Sequence, residues 1–218
     1  YLQITMAILP VFVLITTVRS VAGDREAGIF EYMLSLPVSL SVWYWGKLIG
    51  RFIIVFMPVF LAMLVAVAWG AGKGVEIPWL LVLYYTGFLL SLAMCFLGIG
   101  MLISTLARSS DVATGTAFII WLALLLFMDL ILLGVLIKGG MPTEGVIANA
   151  LANPLQVYRT ATMMLFDPQL VLIGPSANVI LDNFGRGGYI AWALVYPGLL
   201  GLLSAWLGYS IFRRGDLP

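Results

Sequence analysis

The side chains that run most enzyme chemistry are scarce in this sequence. It contains no histidine and a single cysteine, Cys95, inside an apolar run. Without imidazole, the usual zinc constellations and histidine-assisted nucleophiles cannot be assembled, and one thiol cannot build a disulfide framework. Asp129 is the one carboxylate inside a long apolar stretch, and a lone carboxylate cannot form the proton-sharing pair of an aspartyl protease. Ionised in lipid it would cost about 3 kcal/mol or more, so it must face the bundle, water or a partner. Its place eighteen residues beyond Asp111 suits either snorkelling toward the far interface or an ion or proton site. Met141, Met163 and Met164 could offer thioethers to Cu(I) or simply fill apolar gaps. Gly70, Gly72 and Gly74 lack the Gly-Lys-Ser/Thr of a phosphate loop, so no ATPase motif and no catalytic residue is assigned.

The elements that must position these residues follow from composition. Of 218 residues 62% are hydrophobic and 10% charged, against about a quarter charged in a globular chain. A net charge of +1 without a basic patch speaks against nucleic acid as a partner. The solvent is the lipid bilayer, and the expected fold is an all-α integral membrane protein. About 20 residues at a rise of ~1.5 Å cross the hydrocarbon core. The apolar intervals place spans at about 2–22, 47–70, 78–106, 112–137 and 189–212, five transmembrane helices of a polytopic bundle forming one transmembrane domain over 1–218. The chain opens at Tyr1 within an apolar run, so a preceding segment is expected. Arg19, Arg25, Lys47, Arg51, Arg108, Arg213 and Arg214 gather on one side and Lys73, Lys138, Arg159 and Arg186 on the other; seven against four puts the first side in the cytoplasm. Tyr189 and Trp192 open the last span as headgroup-zone aromatics. Gly46 and Gly50 form a small-xxx-small pair suited to close helix packing.

The outer loop, 138–188, holds two charge-free stretches, Gly145–Tyr158 and Pro168–Leu181, of fourteen residues each, a length for interfacial or re-entrant helices. Asn153 followed by Pro154 is a helix start, an N-cap with Pro at the first position. Leu155, Tyr158, Ala161, Thr162 and Leu165 then share one face, with Arg159 on the other. Such a helix caps the bundle's outer end, gates a substrate, or docks a periplasmic partner; Asn153, Pro154, Arg159 and Asp129 are the candidate path or partner contacts.

On the cytoplasmic side, Ile29, Phe30, Met33 and Leu34 recur at helical spacing while Asp24, Arg25, Glu26 and Glu31 stay polar and Pro37 ends the pattern. The spacing predicts a short amphipathic helix at the membrane surface over 24–36. This run, "GDREAGIFEYMLSLPVSLSVWYWGKLIG" from Gly23 to Gly50, resembles the first cytoplasmic loop of ABC-2 type transporter permeases. That loop reads as an acidic-basic-acidic triplet, a small residue and Gly, a helix ending in Leu-Pro, then Gly-Lys. Asp24, Arg25, Glu26, Gly28, Glu31, Leu34, Leu36, Pro37, Gly46 and Lys47 match; Ile29 and Phe30 depart from the usual Thr and Leu. A second stretch, "GIGMLISTLARSSDVATGTAF" from Gly98, resembles the family's other recurring cytoplasmic turn, with Ser104, Arg108 and Asp111 its polar residues. "NPLQVYR", Asn153–Arg159, resembles the subgroup linked to multicopper enzyme maturation, including nitrous-oxide reductase.

The resemblance covers nearly the whole chain and implies a six-helix unit short of its first helix. It implies a permease subunit in the inner membrane, forming the path for an exporter with a second permease subunit, a homodimer. A separate ATP-binding subunit would hold ATP and Mg²⁺, so this chain needs no cofactor of its own. Asp24, Arg25, Glu26, Gly28, Phe30, Glu31, Met33, Leu34 and Pro37 would couple that subunit to transport, and a periplasmic accessory protein would meet the outer end. On the residues alone, an ion-coupled secondary transporter or a membrane scaffold stays open, with the surface helix as an anchor.

Overall fold

The computed structural model describes residues 2–29, 32, 35, 37–138, 150–166 and 175–214, with side chains outside 2–4, 127–129, 131–138 and 175–184. Phe30, Glu31, Met33, Leu34 and the side chain of Asp129 therefore lie outside the described residues. The described elements are helices: α1 Leu2–Thr17, α2 Arg19–Glu26, α3 Leu40–Gly72, α4 Trp79–Leu106, α5 Ser110–Lys138, α6 Pro154–Phe166 and α7 Pro175–Arg214. Among the described residues four stretches are long and apolar enough, by length and composition, to cross a membrane: Thr5–Glu26, Leu40–Gly72, Trp79–Leu106 and Gly185–Arg214. The fifth expected interval is occupied by α5, 29 residues long. Helices are the form that lets a chain in lipid satisfy its own backbone.

Several boundaries differ from the sequence expectation. The first span runs on through α2: Val18 between the helices keeps αR dihedrals, and its N–H reaches Leu14 O at 2.9 Å. α3 starts at Leu40, where Ser39 Oγ accepts from Val42 N at 3.4 Å; at 33 residues it is about 50 Å long and outreaches the hydrocarbon core. α7 contains a non-helical break at Gly185 (φ 65°), so 175–184 and the final span are two helical pieces.

α4 is the central post. In its most apolar stretch 72% of residues are buried inside the protein, against 6% for α3, which leans on the bundle through Tyr44, Leu48 and Val55. α4 and α7 cross backbone to backbone. A Cβ on Gly98 would stand 1.8 Å from Gly201 O, and one on Gly201 would stand 2.1 Å from Met94 O. Beside this crossing, Pro197 disturbs the helical ladder, and the Gly198 N–H donates to Ser91 Oγ at 2.9 Å. By contrast, a Cβ on Gly46 or Gly50 meets nothing within 4 Å. The close packing this bundle uses is at Gly98 and Gly201, not at the pair the spacing singled out.

Candidate functional site

Both segments that the sequence reading assigned to the cytoplasmic side come together at one end of the bundle. α2 ends at Glu26, and Gly28 (φ 67°) turns the chain, a conformation open to glycine because it has no Cβ. The expected single helix over 24–36 is thus broken. Its triplet belongs to the end of the first span, while residues 29 and 32 are helical beyond the turn.

Each side chain of the triplet holds a different element. Asp24 pairs with Lys47 of α3, and the same ammonium donates to Ser20 O and lies 4.3 Å from the Trp43 ring centroid. Arg25 Nη1 donates to Ala107 O at 3.4 Å, at the end of α4. Glu26 accepts from the Ser110 N–H at 3.0 Å and from the Ser110 hydroxyl, so a carboxylate sits at the N-terminus of α5, where backbone donors and the helix dipole favour an anion. Ser104 completes the arrangement from α4: its Oγ accepts from Val21 N at 2.9 Å and Ala22 N at 3.0 Å, where α2 has no side-chain cap of its own. Farther along, Arg19 Nε reaches Thr114 Oγ1 at 3.4 Å. These contacts form a clasp of α2 on α3, α4 and α5. Arg108, Asp111 and Pro37 are exposed at the same end, as are Ile29 and Tyr32 past the turn.

At the opposite end, Asn153 ends one helical piece, 150–152, and starts the next. Its Oδ1 accepts from Leu155 N at 3.0 Å, with Pro154 at the first position of α6, and its Nδ2 donates to Leu124 O of α5 at 2.8 Å. The face expected to be apolar is buried, and so are Gln156, Val157, Thr160 and Met164. α6 is therefore inserted among α1, α4, α5 and α7 and is not laid over them; Arg159 is half-buried. Tyr189, expected in the headgroup zone, is fully buried and donates to Ala150 O at 3.3 Å. Trp192 Nε1 and Tyr196 OH take Leu151 O and Ala152 O at 3.2 and 2.5 Å, so three successive carbonyls meet three aromatic donors from α7. Arg186 Nη2 caps the far end of α6 at Met164 O, 2.8 Å. Asn153→Ala would leave the Leu155 N–H without its cap and remove the tie from α6 to Leu124 O of α5 at once. It should cost about 1–3 kcal/mol and speed hydrogen exchange across 154–166 by one to two orders of magnitude; exchange unchanged from wild type would deny Asn153 this role.

With this geometry in place, comparison with known proteins decides the family: residues 1–217 match the family model described as ABC-2 family transporter protein. The chain belongs to the ABC-2 transporter family. A curated relative, the "Probable ABC transporter permease protein NosY" of Stutzerimonas stutzeri, is 25% identical over 222 residues, 95% of this chain and 76% of the relative. The ABC-2 chain is thus a multi-pass membrane protein similar to an ABC transporter permease.

Sequence reasoning marked the triplet, Lys47 and Ser104 in this ABC-2 protein but left them in separate segments. It missed Ser110 and the Ala107 carbonyl as partners. The start of α5 gave no signal for this, because Ser109 already caps it, its Oγ accepting from Val112 N at 3.2 Å, and Glu26 adds an acceptor from another element.

Proposed function

We propose that this chain is the membrane-spanning subunit of an ABC exporter, in which two copies line the path and a separate subunit binds ATP and Mg²⁺. The observation that carries this reading is the clasp. Residues 29–37 follow directly on a helix end that is tied to α3 through Asp24, to α4 through Arg25 and to α5 through Glu26. A displacement of that segment by a docked ATPase enters three helices at once, so the chain supplies lever and path while the partner hydrolyses ATP. The exposed Ile29 and Tyr32 supply apolar surface beside the turn, with Phe30, Glu31, Met33 and Leu34 as the remaining docking residues. The outer end around Asn153 and Arg159 meets a periplasmic accessory protein. Through the resemblance of Asn153–Arg159 to its subgroup, the exporter serves maturation of a periplasmic metalloenzyme.

Replacing Phe30 or Met33 by Asp should place an unpaired charge in the docking groove. It should lower recovery of the ATPase in pull-down by at least tenfold and abolish vanadate-sensitive transport, with membrane insertion intact. Unchanged association and transport would reduce the segment to a surface anchor, and transport that follows an ion gradient without ATP would replace the exporter by a secondary transporter.

The orientation has its own check. Cys95 is fully buried, and in a Cys95-free background single cysteines at 35 and 109 should resist an external impermeant thiol reagent while one at 74 reacts. The reverse pattern would invert the bundle.

A further inference from the structure

One face of α7 changes character along its length in the way a phospholipid does. Val195, Leu199 and Leu202 are exposed at successive helical turns; Trp206 and Tyr209 continue the stripe, and Arg213 and Arg214 end it. The last part is a surface groove of about 450 Å³ lined by Trp206, Tyr209, Ser210, Arg213 and Arg214. From Leu202 to Arg213 the helix rises about 16 Å, close to the depth of half a hydrocarbon core. Among the described residues neither guanidinium has a carboxylate within ion-pairing distance, and the nearby Lys47 is already engaged by Asp24. Tyr209 is fixed against Trp45 and Tyr44 of α3 at centroid separations of 6.1 and 5.6 Å, so one wall of the groove is anchored to the bundle.

We infer that this groove binds one anionic phospholipid of the cytoplasmic leaflet. Its phosphodiester lies between Arg213 and Arg214, its glycerol ester region against Tyr209 and Ser210, and an acyl chain over Trp206 and Leu202. Guanidinium forks match phosphate oxygens in bidentate geometry. Indole and phenol rings sit at the headgroup boundary for the same amphipathic reason that a glycerol ester does. A soluble anion would use the two arginines but gain nothing from the apolar stripe beneath them. A zwitterionic lipid would use the stripe but bring its own cation to the arginines. The site rests on the orientation proposed above only for which leaflet supplies the lipid.

The test is native mass spectrometry of the full chain, extracted in mild detergent with whatever subunits accompany it. It is titrated with short-chain phosphatidylglycerol, with phosphatidylcholine of the same acyl length, and with inorganic phosphate. Each arginine near the membrane surface contributes roughly fivefold toward an anionic lipid. Wild type should therefore prefer phosphatidylglycerol over phosphatidylcholine by about thirtyfold. Arg213→Gln with Arg214→Gln should erase that preference, Arg213→Lys with Arg214→Lys should keep most of it, and Arg51→Gln, a basic change on the same side outside the groove, should leave it intact. Equal binding of the two lipids to wild type, a preference that survives the double Gln variant, or displacement of phosphatidylglycerol by millimolar phosphate would each overturn the proposal. Detergent solution carries no sidedness and the assay needs no ATP, so failure here is separate from failure of the exporter reading.

Discussion

Gly201→Leu should leave almost no folded protein, and Gly201→Ala alone should cost about 3 kcal/mol or more. Adding a methyl group to a helical glycine ordinarily gains up to ~1 kcal/mol in helix propensity. Here the new Cβ would lie 2.1 Å from Met94 O and 2.7 Å from Cys95 Cα, atoms of a backbone that cannot rotate away as a side chain can. The helices must separate by more than an ångström to admit it. Separation opens the contact that buries Cys95, Gly98 and Leu97 at the centre of the bundle. Ordinary overpacking costs ~1–3 kcal/mol where neighbours can adjust; at this crossing neither side can, and a native state holds only about 5–15 kcal/mol in reserve. Gly98→Ala should behave alike, with Gly201 O 1.8 Å from the added carbon. Gly46→Ala and Gly50→Ala should match or slightly exceed wild type, since nothing lies within 4 Å of either. Monodisperse yield and thermal midpoint in detergent separate these cases. Equal losses in all four variants would mean that the α4–α7 crossing is not the close-packed seam of the protein.

What could be read from the sequence follows from which interactions leave a local trace. The long apolar helices were legible because the apolar intervals are long compared with the bilayer. The α6 start was legible because an N-cap and its helix are neighbours in sequence: Asn153 Oδ1 reaches only two residues on, to Leu155 N. Its burial on nearly every side was not, because α6 carries polar residues, among them Gln156 and Thr160, that a sequence reading turns toward water. Which helices touch was also hidden, since lipid and protein interior are both apolar and neither side imprints a polar stripe on a spanning helix. Hence spacing pointed to Gly46 and Gly50, and nothing in it pointed to Gly98 and Gly201. The clasp was hidden by distance along the chain: Glu26 and Ser110 are 84 positions apart, Arg25 and Ala107 82. Both halves of it lay in stretches with a family pattern, but that pattern carried no pairing between them: it assigned the triplet's charges to a docking partner, and within the chain the same side chains hold α3, α4 and α5. Gly28 separates the clasp from the segment proposed to dock. The turn there ends the span on the triplet and starts a new segment for whatever lies outside.

The clasp therefore makes a prediction that docking alone does not. Lys47→Met removes the ammonium from Asp24, from Ser20 O and from the face of Trp43 together. Asp24 is left with a charge that is about one-fifth exposed, its side chain retaining 21% of its accessible surface. A fully buried orphan charge costs ~3–5 kcal/mol and an exposed pair at most ~1, so an intermediate loss of about 1–3 kcal/mol is expected. For a chain of this size that corresponds to roughly 2–4 °C in thermal midpoint per kcal/mol. Asp24→Asn with Lys47→Met removes both charges and should regain about half of the loss, because the remaining amide and thioether leave no ion unpaired. Function divides the two halves of the lever. Lys47→Met should still capture the ATPase in pull-down, since residues 29–37 are untouched, yet vanadate-sensitive transport should fall at least tenfold because α3 no longer moves with α2. Phe30→Asp should lose capture and transport together. If Lys47→Met lowered the thermal midpoint but transported normally, the Asp24–Lys47 pair would be a fastening of the fold with no part in transmission, and force would have to enter through Arg25 and Glu26 alone.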